Sequence, residues 1–314
     1  MRQAVFLDFN LLGDLLCTTA ALRAFRQRYQ DALVVYIVPN APHYRLLEDN
    51  PDIDFVLYRE DLLAYGEKIV NCIWLRSLPL EFDDESYLLR LGVGTLHDDP
   101  GVFDNHLAHG FARLLELDLD SVRPRVSITD KDRRIAATYI RKPYIIFSMH
   151  TSSPVVGPGG AMVRKDWVLE RWLELARRLG ESSDYDIIAM GSAPELPVMS
   201  RCFRNLYGLP IKVAAAIVEQ AACVVTGESG FFHLCQAADA PMVLIYSRDI
   251  PVPWAYPYEA SNCRVMVDDL LDGNRARVLE DDAASRRFAR KGPVKHQVFR
   301  KQHHHRRIHR VTQL

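Results

Sequence analysis

An α/β fold built on parallel sheets is predicted by three features of this chain. Short β-branched runs alternate with amphipathic segments through most of its length, the signature of strands covered by helices on both faces. Its 314 residues, 48% hydrophobic and 25% charged, are enough for two cores of ordinary size. And one strand-like run, Val224-Val225-Thr226, passes through Gly227-Glu228-Ser229-Gly230 into Phe231-Phe232-His233, a helix start. A strand feeding a helix through glycines leaves unpaired N–H groups and partial positive charge facing outward, a site for a phosphate or diphosphate.

Taken in order, the predicted strands are residues 4–9, 33–38, 55–58, 69–74, 144–149, 186–190, 223–226 and 242–246. The first helix shows a single apolar face, with Leu15, Thr18, Leu22, Phe25 and Tyr29 at spacings of three and four. Further helical patterns cover residues 106–117, 169–179, 195–203, 214–222 and 231–238. Residues 121–143 read as a divide: Pro124, a charged run over 130–134, and Arg141-Lys142-Pro143 before a fresh apolar strand. The predicted units are therefore 1–142, 143–285 and a basic tail, 286–314.

The formal net charge of −1 conceals that tail. Residues 286–314 hold ten Lys or Arg and no Asp or Glu, so the remaining body is strongly acidic. A basic tail on an acidic body is suited to an anionic membrane surface or another polyanion, and the alternative is a terminus with no specific partner. No apolar run approaches the roughly 18 residues needed to cross a bilayer. The N-terminal apolar run is interrupted by Asp8 and Asn10 and reads as a strand, not a signal peptide. A cytoplasmic protein is expected, with the inner face of the membrane as a peripheral site. The six cysteines form no C-x-x-C pair, so neither zinc nor a disulfide framework is expected.

Three constellations can carry chemistry. Gly13-Asp14 follows the first strand and opens a helix; a carboxylate there is either a helix cap or a general base at the mouth of the sheet. His150-Thr151-Ser152, the glycines around Pro158 and Lys165 follow the first strand of the second half, where Ser152 and Lys165 are placed to meet a phosphate. In the strand–glycine–helix motif, Thr226 and Ser229 supply hydroxyls, Gly227, Gly230 and Phe231 supply backbone, and His233 either donates to phosphate or packs. Glu228 suits a ribose or sugar hydroxyl, or an ion pair with Lys165. Asp-x-Asp pairs at 52/54, 118/120, 130/132 and 184/186 are read as surface turns, not as magnesium sites. No G-x-G-x-x-G follows the first strand and no Walker lysine loop is present, which argues against dehydrogenases and P-loop enzymes. Gly191-Ser192 has no nucleophile-elbow context, so a serine hydrolase is unsupported.

In order, these segments resemble glycosyltransferase family 9, the ADP-heptose:lipopolysaccharide heptosyltransferase family. The likeness rests on Gly13-Asp14 and the Thr18-Thr19-Ala20-Ala21-Leu22-Arg23 helix, on residues 46–54, on Lys165, Trp167 and Trp172, on Gly191 and Glu195, and on Glu228 to His233 with the stretch 237–243. It covers roughly residues 1–257. Glu228 stands where the family usually has Asp, and Asp8 where many members carry Arg or Lys.

The resemblance implies the GT-B fold, two Rossmann-like domains with parallel sheets facing a central cleft. The acceptor would bind the N-terminal domain and the nucleotide-sugar, ADP-heptose, the C-terminal one. It implies inverting transfer to a hydroxyl of a glycan or glycolipid acceptor such as the lipopolysaccharide inner core, with no metal, no cofactor and no specific nucleic acid. Asp14 would be the base. Gly13, Ser152, Lys165, Thr226, Gly227, Glu228, Ser229, Gly230, Phe231 and His233 would hold substrate. A sugar-nucleotide epimerase and a non-catalytic nucleotide-sugar or polyanion binder of the same fold are the alternatives.

Overall fold

Two sheets, each parallel throughout, organise the chain. The computed structural model describes residues 3–8, 10–58, 86–91, 106–150, 155–156, 162–163, 166–192, 202–247 and 262–268. The first sheet comprises β1 (Gln3–Asp8), β2 (Leu33–Val38), β3 (Phe55–Tyr58) and β4 (Ser86–Leu91), in the order β3-β2-β1-β4. β2 shows why it forms: Leu-Val-Val-Tyr-Ile-Val is β-branched or apolar at every position and buried from Val34 onward, as a strand covered on both faces must be.

The helices of this half are α1 (Leu12–Arg28), α2 (Ala41–Leu47) and α3 (Leu107–Leu114). Helix α1 departs from the single apolar face expected of it. Leu15 through Leu22 are all buried, because α3 covers a second side of the helix and an element of the other sheet covers its start. Phe6 meets Phe25 edge-on at 5.2 Å between ring centres, joining sheet to helix.

The second sheet comprises β5 (Tyr144–Ser148), β8 (Asp186–Gly191), β9 (Arg204–Tyr207), β10 (Cys223–Gly227), β11 (Met242–Ser247) and β12 (Cys263–Asp268). Their order is β12-β11-β10-β5-β8-β9. A short antiparallel pair, β6 (Val155–Val156) and β7 (Met162–Val163), follows β5. Helices α4 (Asp130–Tyr139), α5 (Leu169–Ser182), α6 (Ile211–Glu219) and α7 (Gly230–Ala237) complete this half. On one face of the sheet Phe147 packs against Trp172 and Phe203, with ring centres 5.2 and 5.8 Å apart. In each sheet the chain reverses direction across the strand order at one place, beside β1 in the first and between β5 and β10 in the second. Ligands of open α/β sheets bind beyond the carboxyl ends of strands at such points.

The segment read as a divide is partly helical. Thr129 and Asp132 form a reciprocal capping box that starts α4, and the charged run 130–134 is the first turn of that helix. Helix α4 lies on α6, where the Arg133 guanidinium forks onto Glu219 at 2.8 and 3.0 Å. Asp52 sits in a turn, as expected, but not on the surface. It is buried and accepts from Arg125 at 2.8 Å, while Asp54 holds Arg26 and the Val34 amide. The strand expected at 69–74 lies outside the described residues, as does the helix expected at 195–203 apart from Cys202 and Phe203, which are not helical.

The two halves are also fastened through the helices α6 and α2. Lys212, at the start of α6 and nearly fully buried, donates to Asp49 at 2.6 Å and to the Glu48 carbonyl at the end of α2. Loss of the α4 cap is a local test of this architecture. Thr129→Ala removes the hydroxyl that accepts from the Asp132 amide, while the Thr129 backbone amide keeps its bond to Asp132 Oδ2, and should lower stability by about 1 kcal/mol in urea denaturation.

Candidate functional site

The functional residues gather where two helices begin. β1 ends at Asp8, the chain turns through Asn10 and Leu11, and α1 starts at Leu12. The capping position belongs to Leu11, whose side chain makes no cap bond, so Asp14 is not the N-cap that one reading of the sequence allowed. It occupies the third helical position and is half-buried.

The turn before it is held from both sides. The Asn10 amide donates to Asp8 Oδ1 at 2.6 Å, and the Asn10 carbonyl lies 2.8 Å from His43 Nε2. Burial is the main cause that holds the His43 imidazole below its ordinary range. Asp8 Oδ2 lies 2.5 Å from the Tyr36 hydroxyl, which in turn meets Thr18 Oγ1 at 2.9 Å.

From the other sheet, β10 ends at Gly227 and α7 starts at Gly230 after Glu228 and Ser229. Thr226, Gly227 and Glu228 are buried. The Thr226 hydroxyl turns back to the Gly227 carbonyl at 2.9 Å. Ser229 occupies the N-cap position, yet its side chain makes no cap bond, and its buried Oγ has no hydrogen-bond partner among the described residues. The first turn of α7, with Phe231 among its amides, therefore has no side-chain cap.

These two helix starts touch. A methyl group on Gly13 would come within 2.8 Å of His233 Cδ2 and 3.0 Å of Gly230 Cα, and one on Gly230 within 3.4 Å of the Gly13 nitrogen. The lack of a side chain on Gly13 is what lets the backbones approach, since a methyl on Gly230 would stand at ordinary contact distance. His233 is buried in this junction, its Nδ1 3.5 Å from the Cys17 sulfur. His233 is thus packed between Gly13 and Cys17 at the junction.

Burial pushes the Cys17 thiol well above its ordinary range, and the carboxylates of Asp14 and Glu228 push it further. Cys17 is therefore a neutral thiol in contact with the His233 ring. Two carboxylates from different sheets thus act on one buried sulfur. His106, the N-cap of α3, lies behind the same junction. Its Nδ1 accepts from the Ala108 amide, and burial, helped by His233 and His109, lowers it to about 3. It is a neutral imidazole whose buried Nε2 has no partner among the described residues.

Of the residues expected from sequence, Gly13 and Asp14 are thus brought to Glu228, Ser229, Gly230 and His233, with Thr226, Gly227 and Phe231 in the same strand–helix turn. Ser152 and Lys165 lie outside the described residues, as does the basic tail. His150, at the end of β5, is half-buried beside Tyr207. Sequence reasoning missed Cys17, Tyr36, His43 and His106 as parts of the site. Each reads in sequence as an ordinary core or helix residue, and His106, although the structure makes it an N-cap, is not among the residue types that signal one. Among the described residues no group of three or more His, Cys, Asp or Glu is arranged to hold a metal, and no helix is long and apolar enough to cross a membrane.

Two parallel-sheet α/β units joined through the helix starts beyond their strand ends form the GT-B arrangement of glycosyltransferases. The fold is similar to that of the glycosyl transferase family 9 protein from Veillonella parvula DSM 2008, at 16% identity and a TM-score of 0.66 over 90% of this chain and 91% of that one. It is also similar to E. coli ADP-heptose lps heptosyltransferase II (20% identity, TM-score 0.63, 85% and 90% covered). E. coli heptosyltransferase WaaC with ADP shares it as well (16%, 0.58, 92% and 97%). No curated protein matches the chain by sequence. The model of glycosyltransferase family 9 (heptosyltransferase) matches residues 102–271, more than half of the chain, which therefore belongs to that family and is a glycosyltransferase.

Gly13→Ala tests the contact between the helix starts. The added methyl meets backbone at Gly230 and a buried ring, so it should cost about 1–3 kcal/mol in urea denaturation. The control is Gly180→Ala in α5, where nothing lies within 4 Å of the new methyl. There, stability should rise by about 0.5–1 kcal/mol.

Proposed function

We propose that this enzyme transfers a heptose from ADP-heptose to a hydroxyl of a glycan or glycolipid acceptor of the lipopolysaccharide inner-core type, with inversion and without a metal ion. The observation that carries the reading is the contact of Gly13 with Gly230 and His233. It brings the carboxylate-bearing turn of one sheet to the uncapped helix start of the other. The likeness to E. coli proteins named as an ADP-heptose heptosyltransferase and as a heptosyltransferase with ADP supports the choice of donor.

In this reading the unit 1–142 takes the acceptor and the unit 143–285 takes the nucleotide-sugar. The diphosphate lies against the first-turn amides of α7, at Ser229, Gly230 and Phe231, with Lys165 and Ser152, which follow β5 in the sequence. Thr226 and Gly227 shape the floor, and Glu228 meets a sugar or ribose hydroxyl. Asp14 takes the proton of the acceptor hydroxyl as its oxygen attacks the anomeric carbon from the face opposite the diphosphate. The new C–O bond forms as the old one breaks, and ADP leaves with the electron pair. The helix start and Lys165 supply the positive charge that the leaving diphosphate needs, the role a metal ion plays elsewhere. The basic tail, residues 286–314, would hold the enzyme to the anionic inner face of the membrane, where such an acceptor resides.

Asp14→Ala should lower the transfer rate about 10²–10⁴-fold while ADP binding stays nearly unchanged. Transfer at the wild-type rate would remove Asp14 from the mechanism. Lys165→Ala should weaken ADP binding in calorimetry, and an unchanged dissociation constant would count against its role. The donor itself is tested by thermal shift, since a ligand that binds only the native state raises the melting temperature. ADP and ADP-heptose should stabilise the protein more than other nucleoside diphosphates and their sugars.

A further inference from the structure

The buried carboxylate behind the catalytic turn poses a problem of hydrogen counting. Asp8 is wholly inaccessible to solvent. From its Oδ2 three oxygen–oxygen contacts run in series: to the Tyr36 hydroxyl at 2.5 Å, from there to Thr18 Oγ1 at 2.9 Å, and from there to the Leu15 carbonyl at 2.7 Å. Each contact requires one hydrogen. Tyr36 and Thr18 carry one each, and the Leu15 carbonyl carries none. If Asp8 is ionised, two hydrogens serve three contacts and one pair of buried oxygens is left face to face. If Asp8 is protonated, every contact is filled in one direction: Asp8 donates to Tyr36, Tyr36 to Thr18, and Thr18 to Leu15. The other carboxyl oxygen, Oδ1, still accepts from the Asn10 amide.

We propose that Asp8 is held in the folded protein as a neutral, hydrogen-donating carboxylic acid, and that in this form it is a positioning residue for the turn that carries Asp14. The inference rests on the reading of Asp14 as the base. The chain of hydrogens ends at Leu15, next to Asp14, while Asn10 ties the turn to the same carboxyl. Both ends of the turn thus hang on one acid.

Electrostatics agree with the count. Burial raises the Asp8 carboxyl to about 7, against opposing hydrogen bonds from Tyr36 and Asn10 and with a further upward push from Asp14. Among the described residues, Tyr36 of β2 and Asp14 of α1 are the titratable groups that act on it, and His43 of α2 reaches it only through the Asn10 carbonyl. A second anion beside Asp14 is what the bound proton prevents.

The sign of the pH effect follows. A carboxyl whose folded value lies above its unfolded one contributes stability that is fully present below about pH 4 and is lost as pH rises through about 7. Asp8→Asn mimics the protonated form, because its amide donates to Tyr36 and its carbonyl accepts from Asn10, and it does not titrate. The melting temperature of Asp8→Asn minus that of wild type should therefore climb between about pH 4 and pH 7 and level off above. A flat difference across that window would overturn the neutral acid.

In aspartate-labelled wild-type protein, one carboxyl ¹³C resonance should titrate near 7; titration of every carboxyl below about 5 would overturn it equally. For positioning, wild-type kcat should decline above about pH 7 and the decline should vanish in Asp8→Asn. Asp8→Ala should lose at least about tenfold in kcat at every pH, with Asp8→Asn restoring most of that loss. Identical pH profiles for wild type and Asp8→Asn would overturn the positioning role. Wild-type transfer by Asp14→Ala, with the stability signature of Asp8 intact, would instead sink the assignment of the base.

Discussion

The approach of Gly13 to Gly230 is the contact on which the rest of this structure turns. Helices in globular proteins ordinarily keep their axes 8–10 Å apart through side chains. Here two helices meet start to start, backbone against backbone, because Gly13 carries no Cβ to strike Gly230 and His233. The meeting brings together the positive ends of two helix dipoles. Such an arrangement is unfavourable unless negative charge is supplied, and Asp14 and Glu228 both act at this junction. A bound diphosphate would supply more. The feature that makes the junction electrostatically demanding is thus the same one that suits it to an anionic donor.

Around this point the fastenings between the sheets are polar. Lys212 reaches Asp49 and the end of α2, and Arg123 meets Asp239 at 2.8 Å. Pairs this exposed contribute little each. Lys212 is the exception, since its charge is buried and its partners are a carboxylate and a helix-terminal carbonyl. The apolar contribution comes from α1, which is enclosed on nearly every side and belongs as much to the junction as to its own sheet.

How much of this was legible in sequence depends on whether the signal is local. β2, β5, β10 and β11 announce themselves as β-branched runs, and their bounds fall within a residue of the expected ones. Helix α4 was hidden because Ala136 is its only buried residue, so there is no apolar stripe to read. Its capping box, Thr129 with Asp132, was the available signal. Helix α1 misled in the opposite direction, since Cys17, Thr19 and Ala21 look like a polar or neutral face yet are buried by partners distant in the chain. The site motifs at 13–14 and 226–233 were visible because glycine, hydroxyl and carboxylate residues cluster at a strand end. Asp8 and Tyr36 were not, because a carboxylate and a phenol 28 positions apart reveal their partnership only when β1 and β2 pair.

The paired glycines bear on how such a protein can be rebuilt or can diverge. Two-domain enzymes of this architecture invite the exchange of one half for another, to join a new acceptor unit to an old donor unit. In this chain the seam is no neutral boundary. A replacement for the first half must bring a residue without a side chain at the start of its first helix, and a slot beside it for the His233 ring. A replacement for the second must bring a backbone that comes as close to that residue and a ring that fits between it and the Cys17 sulfur. A chimera whose first half carried a side chain at the Gly13 position would join two sound domains around a wedge, placed where the chemistry has least room for it.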